Sequence, residues 1–306
     1  MLNRFKLDSG CVISAIALTV LLVQARISSG GESSAVQSTV HTSAGWTVVE
    51  TANFRCRCQL SETDARRLAE CCEAWRSRLR KTWITDAGQE NWLPKCEVCV
   101  HPDKAAYNVA LSRPGDTSVG TTVMNFDQGR TVVRRIDVRA DASDWSNAAL
   151  PHELTHVVLG ERFGGHALPR WADEGIAMLS ESSDKHRERL VNLRENLARR
   201  QTLRMGDLIH ANRIPSPQLR DAFYGQSVAL TSLLIRQSTP AKFADFIEYS
   251  QQQGIDVALK QHFKIDGVVA LQREWDQLAR SPEAIELVSL ELHLGLTPIV
   301  AAIERR

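Results

Sequence analysis

Leu150-Pro151-His152-Glu153-Leu154-Thr155-His156-Val157-Val158-Leu159-Gly160 is the run from which the rest of the chain can be ordered. On a helix, residues four apart share a face, so His152 and His156 present two imidazoles side by side to one metal ion. Glu153 is turned about 100° around the axis from His152, beside such an ion without ligating it, where it can take a proton from water. Val157, Val158 and Leu159 continue the helix as a buried apolar turn. Gly160 and the Gly164-Gly165 pair end it. Proline is comfortable only in the first turn of a helix, so Pro151 predicts a helix that starts, or kinks, near Leu150.

A catalytic zinc takes three protein ligands and keeps one position open. The segment Leu168-Pro169-Arg170-Trp171-Ala172-Asp173-Glu174-Gly175-Ile176-Ala177 opens a second helix after a loop, with Pro169 near its start. It supplies Glu174 as the candidate third ligand, 18 positions beyond His156. Gly175 lets this helix approach a neighbour closely.

Working outward, residues 46–60 are strand-like, and a helix opens at Ser61 or Thr63 and runs to about residue 83. Residues 95–102 read as a buried strand. Residues 120–126 and 131–140 form a hairpin across Asp127-Gln128-Gly129. In its second strand Val132, Ile136 and Val138 share one face and Arg135, Asp137 and Arg139 the other, which predicts an edge strand with one wet face. Helices are predicted over 184–204, 219–237, 240–253 and 268–280. The fold class is therefore α+β: a small N-terminal mixed sheet with a helix, then a mostly helical part.

The chain has 306 residues, 43% of them apolar, enough for a large core. Its net charge of +1 gives no reason to expect nucleic acid as a partner. Arg4 and Lys6 precede an apolar run over 11–23, the length of a signal-peptide core and short for a membrane span. Residues 1–25 are thus read as a signal peptide or an N-terminal membrane anchor, and the protein as exported. Residues 26–45, rich in Ser, Gly and Thr, read as a flexible linker. Beyond Cys11, the cysteines Cys56, Cys58, Cys71, Cys72, Cys96 and Cys99 cluster in one short stretch. In an exported chain that predicts disulfides; the rival reading is a second metal held by Cys56-x-Cys58 and Cys96-x-x-Cys99. The expected organisation is a sheet subdomain over 46–141, a helical subdomain with the zinc site over 142–281, and a helical tail over 282–306.

His-Glu-x-x-His followed by Trp171-x-x-Glu174-Gly175-x-Ala177 resembles the gluzincin branch of clan MA zinc peptidases, and the block is similar to one in aminopeptidase N-like enzymes. The resemblance implies a zincin-like fold, zinc held by His152, His156 and Glu174, and Glu153 as general base. The intervening loop is about one residue shorter than in the aminopeptidase N relatives. The chain is also similar to the peptidase MA-like domains of exported bacterial proteins over roughly residues 46–280, including Tyr224-Gly225-Gln226-Ser227 on a later helix. That likeness makes Tyr224 the candidate oxyanion donor; the other reading is an interfacial tyrosine. Asp173 is read either as a buttress for a ligand histidine or as a first-turn helix acid, and His166 as a solvent-facing loop residue. The implied activity is zinc-dependent hydrolysis of peptide or protein substrates, with the strand at 131–140 available for strand addition. Aminopeptidase N relatives hold the substrate amine with a glutamate where this chain has Val123-Met124-Asn125, so an endopeptidase is expected. The alternative is a non-catalytic binding module on the same fold.

Overall fold

The structure, a computed structural model, describes residues 36–84 and 90–279. The predicted leader, residues 26–35 of the linker and the tail lie outside the described residues. Among those described, no helix is long and apolar enough to cross a membrane.

Six strands form one mixed sheet: β1 (Thr39–Ser43), β2 (Trp46–Glu50), β3 (Phe54–Cys58), β4 (Cys96–His101), β5 (Gly120–Asp127) and β6 (Arg130–Arg139). Their order is β1-β2-β3-β4-β6-β5. β1 falls inside the stretch read as linker, and the 46–60 run is two strands. They are separated by a turn in which Glu73 accepts from Thr51 Oγ1 (2.6 Å), Asn53 N (2.9 Å) and Asn53 Nδ2 (2.7 Å). β3 and β4 are parallel, so the chain needs a crossover, supplied by α1 (Glu62–Trp83) with Ser61 as its N-cap. β4 and β6 are also parallel; α2 (Lys104–Leu111) and β5 fill that connection. Gln128 and Gly129 turn the β5–β6 hairpin with positive φ at both positions, the geometry that matches strand twist.

β6 is not the edge strand its alternation predicts: it lies inside the sheet, with β5 the edge beside it and β1 the other edge. The charged face of β6 misled because its centre is a buried ion pair, not a wet surface. Asp137 is fully buried and its carboxylate takes both Arg135 Nε (2.7 Å) and His101 Nε2 (2.8 Å). Burial disfavours charge there, but Asp137 outweighs it and holds the His101 imidazole up at about 9.

Helices follow: α3 (Leu150–Arg162), α4 (Arg170–Met178), α5 (Ser183–Ala198), α6 (Met205–Ile209), α7 (Pro217–Arg236), α8 (Pro240–Gln253), α9 (Ile255–Phe263) and α10 (Gly267–Leu278). The helix predicted over 184–204 stops at Ala198. Arg200 takes a left-handed φ of 55°, and the Leu203 backbone is held by the Gln226 amide. The core lies between the inner sheet face (Val49, Phe54, Val98, Ile136), α1 and α3, and continues into the helical half. All six described cysteines are buried. Among the described residues no disulfide forms, so the predicted staples are absent; burial pushes the Cys58 and Cys71 thiols up to about 11. The rival two-motif metal grip fails on strand geometry: Cys96 and Cys99, three apart on β4, point to opposite faces.

α4 crosses α7 at Gly175. A Cβ there would overlap the Thr231 hydroxyl and sit 2.7 Å from Ser227 O. Gly175→Ala is expected to destabilise the protein by about 1–3 kcal/mol through overpacking, read as a lower midpoint in urea unfolding; an unchanged midpoint would mean the crossing is loose.

Candidate metal centre

α3 begins at Leu150, as Pro151 requires, and enters from a π-helical turn over Trp145–Ala149. Its two imidazoles stand with centroids 4.9 Å apart. Each is anchored by a carboxylate at Nδ1: His156 by Asp173 (2.8 Å) and His152 by Glu181 (2.9 Å). A carboxylate at Nδ1 fixes the ring with its Nε2 lone pair directed outward. Both Nε2 atoms therefore face the same space, and α4 brings Glu174 into it. Glu174 Oε2 lies 3.4 Å from His152 Nε2, while Oε1 is taken by Arg170 (2.8 Å).

The donor atoms of His152, His156 and Glu174 lie within 4.8 Å of one another. Around a tetrahedral zinc with bonds near 2.0–2.1 Å, ligand atoms stand about 3.3 Å apart, so the His152–Glu174 separation already matches. Two imidazole nitrogens and one carboxylate oxygen, with the remaining direction facing a cleft of about 500 Å³, are the donor set of a catalytic zinc. The residues present fit that metal.

The electrostatics favour a cation at this point. Burial disfavours charge on Glu174, but the His152 hydrogen bond and the nearby His156 and Arg170 charges outweigh it and hold the carboxyl at about 2. Glu181 is also held at about 2, Arg189 outweighing burial. Burial opposes protonation of His152, yet Glu174 and Glu181 raise it to about 10. Glu181 acts at Nδ1 and Glu174 at Nε2, and a metal ion at Nε2 would take the place of the proton there.

Glu153 is buried beside the ligands, and its Oε2 accepts from Thr122 Oγ1 on the edge strand (2.7 Å). Gly120 leaves room for it: a Cβ there would lie 3.0 Å from Glu153 Oε1. Tyr224, on α7, lines the cleft together with His152, Glu153 and Glu174; burial, then the Glu174 charge, push its phenol up to about 12. Arg189, on α5, lies over the Tyr224 ring, 5.1 Å from its centre. His166 is exposed at the cleft rim.

All five predicted site residues thus share one cleft, and Asp173 takes the buttressing position. Thr122, Arg170, Glu181 and Arg189 were not read from sequence. For Arg189 a signal existed. His186, Leu190 and Leu193 mark the buried face of α5, and Arg189 falls within it at helical spacing. A second group of possible ligands, Cys99, His101 and Asp137, is also buried, but a cation there would compete with the Arg135 guanidinium.

Residues 118–280 match the peptidase MA superfamily, more than half of the chain. The chain belongs to that superfamily. Among curated proteins it has no match. The region matched to the peptidase MA superfamily begins just before β5 and ends just after α10, so it holds the edge strand, both metal motifs and Tyr224, and leaves out α1 and β1–β4.

Asp173→Asn and Glu181→Gln are each expected to weaken zinc binding about 10- to 100-fold, as loss of an anchor behind a ligand histidine does, and Glu174→Gln more strongly. Titration of metal-stripped protein with zinc against a chromophoric chelator reads this; wild-type affinity in all three would remove the metal from this cleft.

Proposed function

We propose that the chain is an exported zinc peptidase that cleaves internal bonds of peptide or protein substrates. The observation that carries this reading is the convergence of His152, His156 and Glu174 with one direction left open, and Glu153 beside that opening. Bound zinc would supply Lewis acidity, lowering the pKa of a water toward neutrality and polarising the scissile carbonyl.

The chain's own groups do the rest. Glu153 accepts the proton of the attacking water and returns one to the leaving amine. The Thr122 hydroxyl holds the other side of that carboxylate in place. The Tyr224 phenol, kept protonated by its high pKa, donates to the oxygen on which negative charge develops. β5, as the edge, offers unpaired backbone groups along the cleft, so an extended substrate adds as a strand there and is read through its backbone. This replaces the strand at 131–140 in that role.

Two features support internal cleavage. Two adjoining clefts share Glu153 in their walls: one is also lined by Met124, Phe126 and Leu168, the other by Lys185, Arg220 and Asp221. The β5 segment Val123-Met124-Asn125 carries no carboxylate to hold a free amine. The basic, then apolar N-terminal segment supports export.

Glu153→Gln is expected to keep one equivalent of zinc and to lose about 10²–10⁴-fold in kcat on a mixed-sequence fluorogenic peptide library. A zinc-loaded wild type that cleaves none of the library would favour the non-catalytic binding module; a Gln variant as active as wild type would remove Glu153 as the base.

A further inference from the structure

Arg189 is partly buried in the helical half, and the proposed chemistry gives it no task. Its side chain is 18% exposed, and it reaches both oxygens of Glu181, at 2.6 Å from Nε and 2.5 Å from Nη2. Glu181 in turn holds His152 at Nδ1 (2.9 Å). The Cζ of the same guanidinium lies over the Tyr224 ring, 5.1 Å from its centre. The residues after Tyr224 are built to keep this contact. A Cβ on Gly225 would lie 2.8 Å from Leu193 Cβ and 3.2 Å from Arg189 O, so only a glycine lets α7 press on the turn of α5 that carries Arg189. Gln226 then fixes the rotation of α7 by holding both the N–H (2.7 Å) and the C=O (2.9 Å) of Leu203.

We propose that Arg189 is a positioning residue that ties Tyr224 to His152, one guanidinium gripping Glu181 and lying over the tyrosine ring. The proposal rests on Tyr224 as the oxyanion donor. Arginine is required because a planar fork can pair a carboxylate bidentately while stacking on a ring; a lysine ammonium is a point charge and cannot do both. The donor and the ligand imidazole are thereby held at one spacing. An error in that spacing weakens contacts made in the transition state, so it should appear in kcat and leave KM nearly unchanged.

The test uses zinc-loaded full-length protein carrying Arg189→Lys and Tyr224→Phe, singly and together. Arg189→Lys is expected to lower kcat about 10- to 100-fold, the usual cost of an outer-shell partner. In the Tyr224→Phe background the same change should cost less than about threefold, because the hydroxyl it positions is gone. Losses that multiply would overturn the proposal. A readout independent of cleavage is the NMR of ¹³C-labelled tyrosine. The chain has three tyrosines, and the ring signal missing in Tyr224→Phe should be the one that moves in Arg189→Lys, while the other two hold. A Tyr224 signal that stays in place overturns the coupling. A moved signal in a protein that cleaves no peptide keeps the coupling and sinks the peptidase reading. If Arg189→Lys does not fold, Glu181→Gln probes the same link from its other end and should also move the Tyr224 signal; a fixed signal there overturns the proposal equally.

Discussion

One helix, α4, supplies or leads into every acid that organises the two imidazoles of α3. Asp173 anchors His156, Glu174 enters the donor set, and Glu181, just past the helix end, anchors His152. The site therefore depends on how α4 is pressed against α3, and that is set from behind by α7, which meets α4 at Gly175 with no room for a side chain. The metal-facing geometry is thus a consequence of helix packing and not of a flexible loop. Closely packed helices hold side chains to the small tolerances that ligation needs.

Concentrating acids in a core carries a cost. Breaking a buried ion pair by removing one partner costs about 3–5 kcal/mol, because the remaining charge is left uncompensated. The protein answers with an arginine on each acid: Arg170 on Glu174 and Arg189 on Glu181. Glu174 gives Oε1 to Arg170 and keeps Oε2 toward His152, while Glu181 meets Arg189 and His152 together. The edge strand completes the arrangement by bringing Thr122 to the general base and exposing unpaired backbone where a substrate would lie.

Much of this was legible in the chain. Ligand chemistry fixes His152, Glu153 and His156 within one helix turn, and Pro151 marks the start of that helix, so local rules suffice. Glu174 was legible because a proline-opened helix with Gly175 beside the acid announces a close crossing. Other features depend on contacts far apart in sequence. The alternation on β6 reads as an edge because Asp137 pairs with His101, 36 residues away, and nothing local shows that pairing. Glu181 and Arg189 acquire their roles only when α5 folds back beside α3, and a helix as charged as α5 looks solvated until its buried face is counted. The cysteines were read from composition and compartment, whereas their burial makes them small core residues in this structure.

On the proposed reading, His152, His156 and Glu174 hold one zinc ion and leave a corner for water. X-ray absorption at the zinc edge on the metal-loaded full-length chain tests it directly. The expected result is nitrogen and oxygen neighbours at about 2.0–2.1 Å, with the scattering of two imidazoles and no sulfur. A sulfur shell at about 2.3 Å, which would put the ion among the cysteines, or a shell with no imidazole signature, would contradict it.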